Sequence, residues 1–98
     1  MTKNTNELQS LRIEIDSVDG AILSILAKRT ELARAIGKYK QKHNLKLLDR
    51  KRWIEIVKTR VTTGRSMGLS PRFIREIFEL IHKNSLFIQK RAQNHESI

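Results

Sequence analysis

A few charged and polar residues of this 98-residue chain occupy positions where an apolar residue is expected. Between Leu8 and Ile36, apolar side chains recur in alternating steps of three and four residues, which is the period of an amphipathic helix. This count places Arg29 on the apolar stripe. Lys40 follows eleven residues later, close to three full turns, so both side chains point to one side of the helix. Two cations directed toward one place predict an anion-binding site.

The C-terminal part of the chain adds neutral polar groups. Ser85 and Gln89 are one helical turn apart in a stripe that otherwise holds Ile, Phe and Ala. Asp49 and Arg52 lie at the start of a second predicted helix, whose N-terminus attracts anions. Because buried polar groups need partners, these residues together predict a dry, cationic pocket inside a helical bundle. Such a pocket suits a small apolar ring that carries carboxylates.

Each of these residues also has a purely structural explanation. Asp49 can act only as a helix cap, and Ser85 can bond back to the preceding helical turn. Gln89 can face solvent near the end of its helix, and Arg29 can extend out of the stripe along its methylene groups. The prediction of a site therefore rests on polar groups that occur beside the apolar stripes of all three helices.

The periodicity predicts an all-α fold, a three-helix chain with one long N-terminal helix, in which residues 1–98 form a single domain. The first helix is expected from about Asn6 to His43, the second from about Arg50 to Thr63, and the third from Pro71. Thr5 or Asn6, Asp49 and Ser70 are the predicted N-caps, and Asn44 is the predicted terminator of the first helix. We expect no separate regulatory domain within these 98 residues.

The first helix is too long for a compact monomer. At 1.5 Å per residue, about 36 residues extend roughly 54 Å, whereas a compact domain of this size is roughly 30–35 Å across. The apolar stripe continues along that whole length, from Leu8 to Ile36. We therefore expect a second copy of the chain to cover its far half, which predicts an intertwined homodimer.

Composition limits the possible partners and compartment. The chain carries 20 Lys and Arg against 10 Asp and Glu, and a net charge of +10 attracts polyanions and small anionic metabolites alike. The bases are spread along the chain and aromatic residues are 5%, unlike a typical nucleic-acid-binding surface. A basic nucleic-acid-binding module nevertheless stays open as a distant alternative, because four lysines cluster at Lys38, Lys40, Lys42 and Lys46.

The chain has no cysteine, which excludes disulfides and thiolate metal sites. It also has no apolar run of membrane-spanning length and no signal-peptide pattern in "MTKNTNELQS". We therefore expect a cytoplasmic protein with no membrane partner. From the spread of its basic residues we expect no nucleic-acid partner, with the basic module kept only as the distant alternative.

Three motifs occur in order along the chain: "L-R-x-x-I-D-x-x-D" from Leu11, "R-x-E-L-A-x-x-I-G-x-x-K" from Arg29 to Lys40, and "S-x-x-x-Q" from Ser85 to Gln89. Together with "LDRKRW" between the second and third motifs, they resemble the AroQ-type, all-helical chorismate mutases over about residues 7–92. The resemblance implies an intertwined dimer of three-helix chains, which agrees with the length argument.

The resemblance also implies an activity, the Claisen rearrangement of chorismate to prephenate, which supplies phenylalanine and tyrosine synthesis without nucleophile, cofactor or metal. It implies that Arg12 and Arg29 bind substrate carboxylates and that Lys40 and Gln89 are catalytic, as hydrogen-bond donors to the ether oxygen. Arg12 lies 17 residues before Arg29, about 26 Å along the helix and roughly 100° around it. One straight helix cannot bring both to one small ligand, whereas Arg12 of the partner subunit in an antiparallel dimer can reach it.

The remaining implied contacts concern substrate identity. The resemblance implies that Arg52 and Ser85 contact carboxylates and that Asp49 lies near the ring hydroxyl. Trp53 departs from the pattern, because many members carry a Glu there and an indole N–H cannot accept a hydrogen bond. His82, one turn before Ser85, is close enough in sequence to approach the pocket, although a surface or core histidine is the more common outcome. The departure leaves two alternatives on the same scaffold open, an isochorismate pyruvate lyase and an amino-deoxychorismate mutase.

Overall fold

Three α-helices follow one another in the computed structural model, which describes the backbone of residues 2–97 and the side chains of residues 6–94. Helix α1 spans Thr2–Lys42, α2 spans Arg50–Ser66 and α3 spans Pro71–Ser97. No strand occurs in the described range. The prediction of an all-α, three-helix chain with a long first helix is confirmed.

Helix α1 is continuous over 41 residues, about 62 Å at 1.5 Å per residue, because no proline interrupts it. It ends at Lys42, one residue before the expected end at His43, and Asn44 terminates it as predicted: its φ of 55° is left-handed, and the N–H of Leu45 donates to the carbonyl of Lys40 at 2.8 Å. The predicted start was wrong by four residues. Thr5 and Asn6 lie inside the helix and therefore do not cap it.

Side-chain caps begin the other two helices. Asp49 Oδ1 accepts a hydrogen bond from the N–H of Arg52 at 3.0 Å, and Ser70 Oγ accepts one from the N–H of Phe73 at 3.3 Å. Each oxygen partners one of the N–H groups that a helix N-terminus leaves without an intrahelical acceptor. Both predicted caps are confirmed.

Helix α2 ends at Ser66, three residues beyond the predicted end at Thr63. The added turn contains Gly64, which is buried against Ile74 of α3: a Cβ at Gly64 would lie 2.8 Å from Ile74 Cγ1. Packing between the two helices thus outweighs the low helix propensity of glycine. The chain then turns through Gly68, whose φ of 85° favours glycine.

The chain divides into two compact units, residues 1–31 and residues 32–98. The second unit holds the end of α1 together with α2 and α3, and it contains the buried apolar residues Ala33, Ile56, Ile74 and Ala92. The core of the described structure therefore lies in the second unit.

The first unit consists of the N-terminal part of α1 and exposes its apolar stripe. The stripe residues are 48–68% exposed: Leu8, Leu11, Ile15, Val18, Ile22 and Ile25. A shallow depression on the same unit is lined by Leu11, Ile15 and Val18 with Glu14 and Asp19. This surface is an uncovered apolar helix face, with no cationic residue in the depression. None of the helices, as far as the chain is described, has the length and hydropathy needed to cross a bilayer.

Candidate active site

The second unit joins Lys40, near the end of α1, to Gln89 on α3. Lys40 Nζ donates to Gln89 Oε1 at 2.8 Å and to the carbonyl of Leu47 at 2.6 Å. Gln89 Nε2 in turn donates to Ser85 Oγ at 3.0 Å. Gln89 is 5% exposed, so the amide is held in the bundle and does not face solvent. The structure therefore brings together three of the predicted site residues, Lys40, Ser85 and Gln89.

The hydrogen-bonding capacities of these groups fix their orientation. An ammonium group can only donate, so the atom of Gln89 that faces Lys40 is the oxygen, and the amide nitrogen faces Ser85. Nζ of Lys40 has three N–H donors, and its bonds to Gln89 and Leu47 use two of them. Nε2 of Gln89 has two N–H donors, and its bond to Ser85 uses one. One N–H of each group is therefore not used in a described contact, and neither is the hydroxyl hydrogen of Ser85.

A close approach of two backbones brings Lys40 and Gln89 together. A Cβ at Gly37 of α1 would lie 2.6 Å from the carbonyl oxygen of Gln89 and 2.7 Å from its Cα. Gln93 Nε2 also donates to the carbonyl of Gly37, at 3.0 Å. The polar pattern predicts neither Gly37 nor Gln93 as a site residue. A glycine kept in a helix interior, where it costs about 1 kcal/mol relative to Ala, was the available signal for Gly37.

The electrostatics of the site centre on Lys40. Burial lowers the pKa of Lys40 below its ordinary value of 10.5, because removal from water disfavours the ammonium form, and the negative charge of Asp49 partly opposes this effect. A partly desolvated cation gains more from an anionic ligand than one in bulk water. The site therefore favours a ligand that brings negative charge to Lys40.

Asp49 and Arg52 have local partners at the start of α2. Asp49 caps the helix, as the structural alternative expects, and its carboxylate also acts on Lys40. The guanidinium of Arg52 pairs with the carboxylate of Glu55 one turn later, and both side chains are more than half exposed. Exposed pairs of this kind contribute about 0–1 kcal/mol, so a substrate carboxylate can replace Glu55 at little cost. The carboxylate-binding role of Arg52 stays a prediction.

Trp53 and His82 form a stacked pair between α2 and α3. Their ring centroids are 4.2 Å apart with an interplanar angle of 17°, and both side chains are half-buried. Trp53 is one turn after Asp49, and His82 is one turn before Ser85. His82 therefore shares a face of α3 with Ser85, and an indole occupies the position where the family pattern has a carboxylate.

The two remaining predicted residues belong to the first unit. Arg12 is exposed and Arg29 is half-buried on α1. Their contacts with a substrate stay predictions. Within the described residues, no group of three or more His, Asp or Glu side chains is arranged to hold a metal ion.

A family model described as chorismate mutase type II matches residues 11–90 of this chain. The matched range contains every residue predicted for the site, and it ends three residues before Gln93.

Several curated proteins are similar in sequence. The chain is 33% identical over 79 residues to the T-protein of Enterobacter agglomerans, which covers 81% of this chain and 21% of that protein. It is 33% identical over 89 residues to a bifunctional chorismate mutase/prephenate dehydratase of Buchnera aphidicola, and this match covers 91% of this chain and 23% of that protein. It is 29% identical over 94 residues to a 4-amino-4-deoxychorismate mutase of Streptomyces venezuelae, and this match covers 95% of this chain and 90% of that protein. The chain thus spans about a fifth of the first two relatives and nearly all of the third.

Proposed function

This chain belongs to the chorismate mutase type II family, and we propose that it catalyses the rearrangement of chorismate to prephenate, an isomerase step in aromatic amino acid biosynthesis. The observation that carries the proposal is the buried hydrogen-bonded cluster of Lys40, Gln89 and Ser85. We include in the proposal that residues 1–98 act as one domain of this type, in the cytoplasm, a compartment that suits a cysteine-free chain.

The proposed reaction requires hydrogen-bond donors placed at one oxygen of the substrate. In a Claisen rearrangement, one C–O bond breaks as a C–C bond forms within the same molecule, so no nucleophile, proton transfer or cofactor takes part. An enzyme accelerates it by holding the dianion in its chair-like conformer and by stabilising the negative charge that grows on the ether oxygen. The third N–H of Lys40 and the second N–H of Gln89 are the two donors that would meet this oxygen.

Two arginines and the serine of the cluster would bind the substrate carboxylates. Arg29 and Arg52 would bind substrate carboxylates as bidentate donors, with Arg52 exchanging Glu55 for the substrate. Ser85 accepts a hydrogen bond from Gln89 and would donate one from its hydroxyl to a carboxylate. The net charge of +10 would draw the dianion toward the protein.

A second copy of the chain would complete the site. The exposed apolar face of the first unit extends from Leu8 to Ile25, and contiguous apolar surfaces of this kind mark association sites. We assign this face to the same face of a partner subunit in an antiparallel homodimer. Arg12 of the partner would then reach the substrate held by Arg29 and Lys40, giving two equivalent sites in each dimer.

Incubation of the purified protein with chorismate tests the proposal. Loss of the ultraviolet absorbance of chorismate, with prephenate as the identified product, is the expected result. If chorismate disappears no faster with the protein than without it, the proposed activity is wrong.

A second candidate is a mutase that acts on 4-amino-4-deoxychorismate. It is favoured by the aromatic pair of Trp53 and His82, and by the relative with this name whose length the chain nearly matches. Parallel assays with chorismate, 4-amino-4-deoxychorismate and isochorismate distinguish the candidates by kcat/KM. A preference for the amino substrate would support the second candidate, and salicylate with pyruvate from isochorismate would indicate a lyase.

A further inference from the structure

We propose that Gly37 and Gln93 are positioning residues that set the separation between the donor groups of Lys40 and Gln89. The inference rests on the proposed function for its catalytic consequence. Its structural part concerns only the contact between the end of α1 and α3.

The first observation is the space around Gly37. A Cβ at this position would lie 2.6 Å from the carbonyl oxygen of Gln89, 2.7 Å from its Cα and 3.0 Å from its carbonyl carbon. All three atoms are backbone, so no side-chain rotation relieves the contact. An alanine would force α1 and α3 apart by on the order of 1 Å, because closely packed interiors have no spare volume.

The second observation is a pair of amide hydrogen bonds across the same contact. Gln93 Nε2 donates to the carbonyl of Gly37 at 3.0 Å, and Gln41 Nε2 donates to the carbonyl of Gln93 at 3.4 Å. Gln93 is one helical turn after Gln89, and Lys40 lies three residues after Gly37. These bonds therefore hold the two helices against sliding at the level of the Lys40 and Gln89 pair.

The consequence for catalysis follows from geometry. Lys40 and Gln89 must both reach one ether oxygen, and their own bond of 2.8 Å leaves little freedom in their separation. A displacement of about 1 Å at a catalytic group can lower a rate by about 100-fold. Carboxylate binding by Arg29 and Arg52 does not use the Gly37 contact, so substrate affinity should change much less than turnover.

The test compares Gly37→Ala with Gly64→Ala. Gly64 is a similar helix contact, with 2.8 Å from a Cβ to the nearest atom, but its neighbour is the side chain of Ile74, and no predicted site residue takes part in it. For Gly37→Ala we expect kcat per folded enzyme to fall by about 100-fold, with KM changed by less than about threefold. For Gly64→Ala we expect lower stability, with kcat per folded enzyme within about twofold of the wild type.

A second readout does not depend on turnover. An NMR titration of the Lys40 side chain should show that Gly37→Ala admits water and raises the pKa of Lys40 toward 10.5, whereas Gly64→Ala leaves it unchanged. Because this measurement needs no substrate, it tests the positioning role even if the wild type does not convert chorismate.

Gln93→Met tests the proposal without adding a Cβ to the contact. It removes the amide donor at nearly constant side-chain length, and we expect kcat to fall by about tenfold. The pKa of Lys40 should rise, as in Gly37→Ala. If Gly37→Ala does not fold, this variant decides the question. Wild-type kcat and an unchanged pKa of Lys40 in Gln93→Met, or in a folded Gly37→Ala, would overturn the proposal.

Discussion

Lys40 Nζ and Gln89 Oε1 lie 2.8 Å apart, although 49 residues separate them in the sequence. The bond connects a half-buried ammonium on α1 to a buried amide on α3. Lys40 also donates to Leu47 and Gln89 donates to Ser85, so one N–H of each group is not used in a described contact. Two adjacent donors in a partly desolvated setting are suited to an oxygen on which negative charge develops. The proposed mutase reaction produces such an oxygen.

Gln89→Glu should make activity depend on pH. A glutamine donates at any ordinary pH, whereas a glutamate must be protonated before it can donate to the ether oxygen. At neutral pH the carboxylate would also pair with Lys40. We expect kcat/KM of the variant to be at least about 100-fold below the wild type at pH 7 and to rise as the pH falls toward 5. The wild type should show a flat profile in this range, and an equally flat profile at wild-type rate in the variant would remove Gln89 from the mechanism.

Asp49→Asn should shift the alkaline limit of activity. Burial lowers the pKa of Lys40 below 10.5, and the charge of Asp49 raises it. Asparagine keeps the helix cap but removes that charge, so the pKa of Lys40 falls further and the ammonium is lost at a lower pH. The profile of kcat/KM against pH should therefore begin its alkaline decline earlier in Asp49→Asn than in the wild type.

The matched control for this shift is Glu79→Gln, which removes an exposed carboxylate paired with Lys83 on α3. Its alkaline limb should coincide with that of the wild type. A limb displaced equally in both variants would mean that overall charge, and not Asp49, sets the ionisation of Lys40.

Mixing two inactive variants should restore activity if each site combines two subunits. Arg12→Ala and Lys40→Ala homodimers should each be inactive, but a mixed dimer would contain one site with both native residues. After random subunit exchange, half of the dimers are mixed and each has one intact site, so about a quarter of wild-type activity is expected. Activity that stays absent after verified exchange would contradict the placement of Arg12 in the partner's site.

Trp53→Ala should destabilise the second unit by about 2 kcal/mol, because it removes half-buried aromatic surface and the stacking on His82. Trp53→Phe keeps a ring that can stack on His82, so its loss of unfolding free energy should be less than half of that in Trp53→Ala. Urea unfolding followed by circular dichroism measures both variants. Equal losses would show that the indole packs elsewhere in solution.

The helices and their caps were largely predictable because they depend on local sequence. Asp49, Ser70 and Asn44 cap or end helices as their residue types and positions indicate. The end of α2 was not predictable in this way, because Gly64 stays helical through its contact with Ile74, a residue of another helix. A local propensity cannot anticipate such a tertiary contact.

The site was predictable as a set of residue types but not as a set of contacts. Periodicity placed Lys40, Ser85 and Gln89 beside apolar stripes, but their hydrogen bonds depend on how closely α1 approaches α3 at Gly37. Arg52 pairs with Glu55 at i+3, a local partner that the apolar stripes do not indicate. These details arise from packing and from competition between partners, neither of which a stripe of residues specifies.

The turnover of chorismate by Lys40→Ala, compared with that of Lys42→Ala, tests the proposed role of Lys40. Lys42 is an exposed lysine on the same last turn of α1, so the control removes the same charge outside the cluster. We expect kcat of Lys40→Ala to fall by about three powers of ten, since several kcal/mol of preorganised stabilisation is lost, while Lys42→Ala stays within about twofold of the wild type. Wild-type kcat in a folded Lys40→Ala, or an equal loss in both variants, would contradict it.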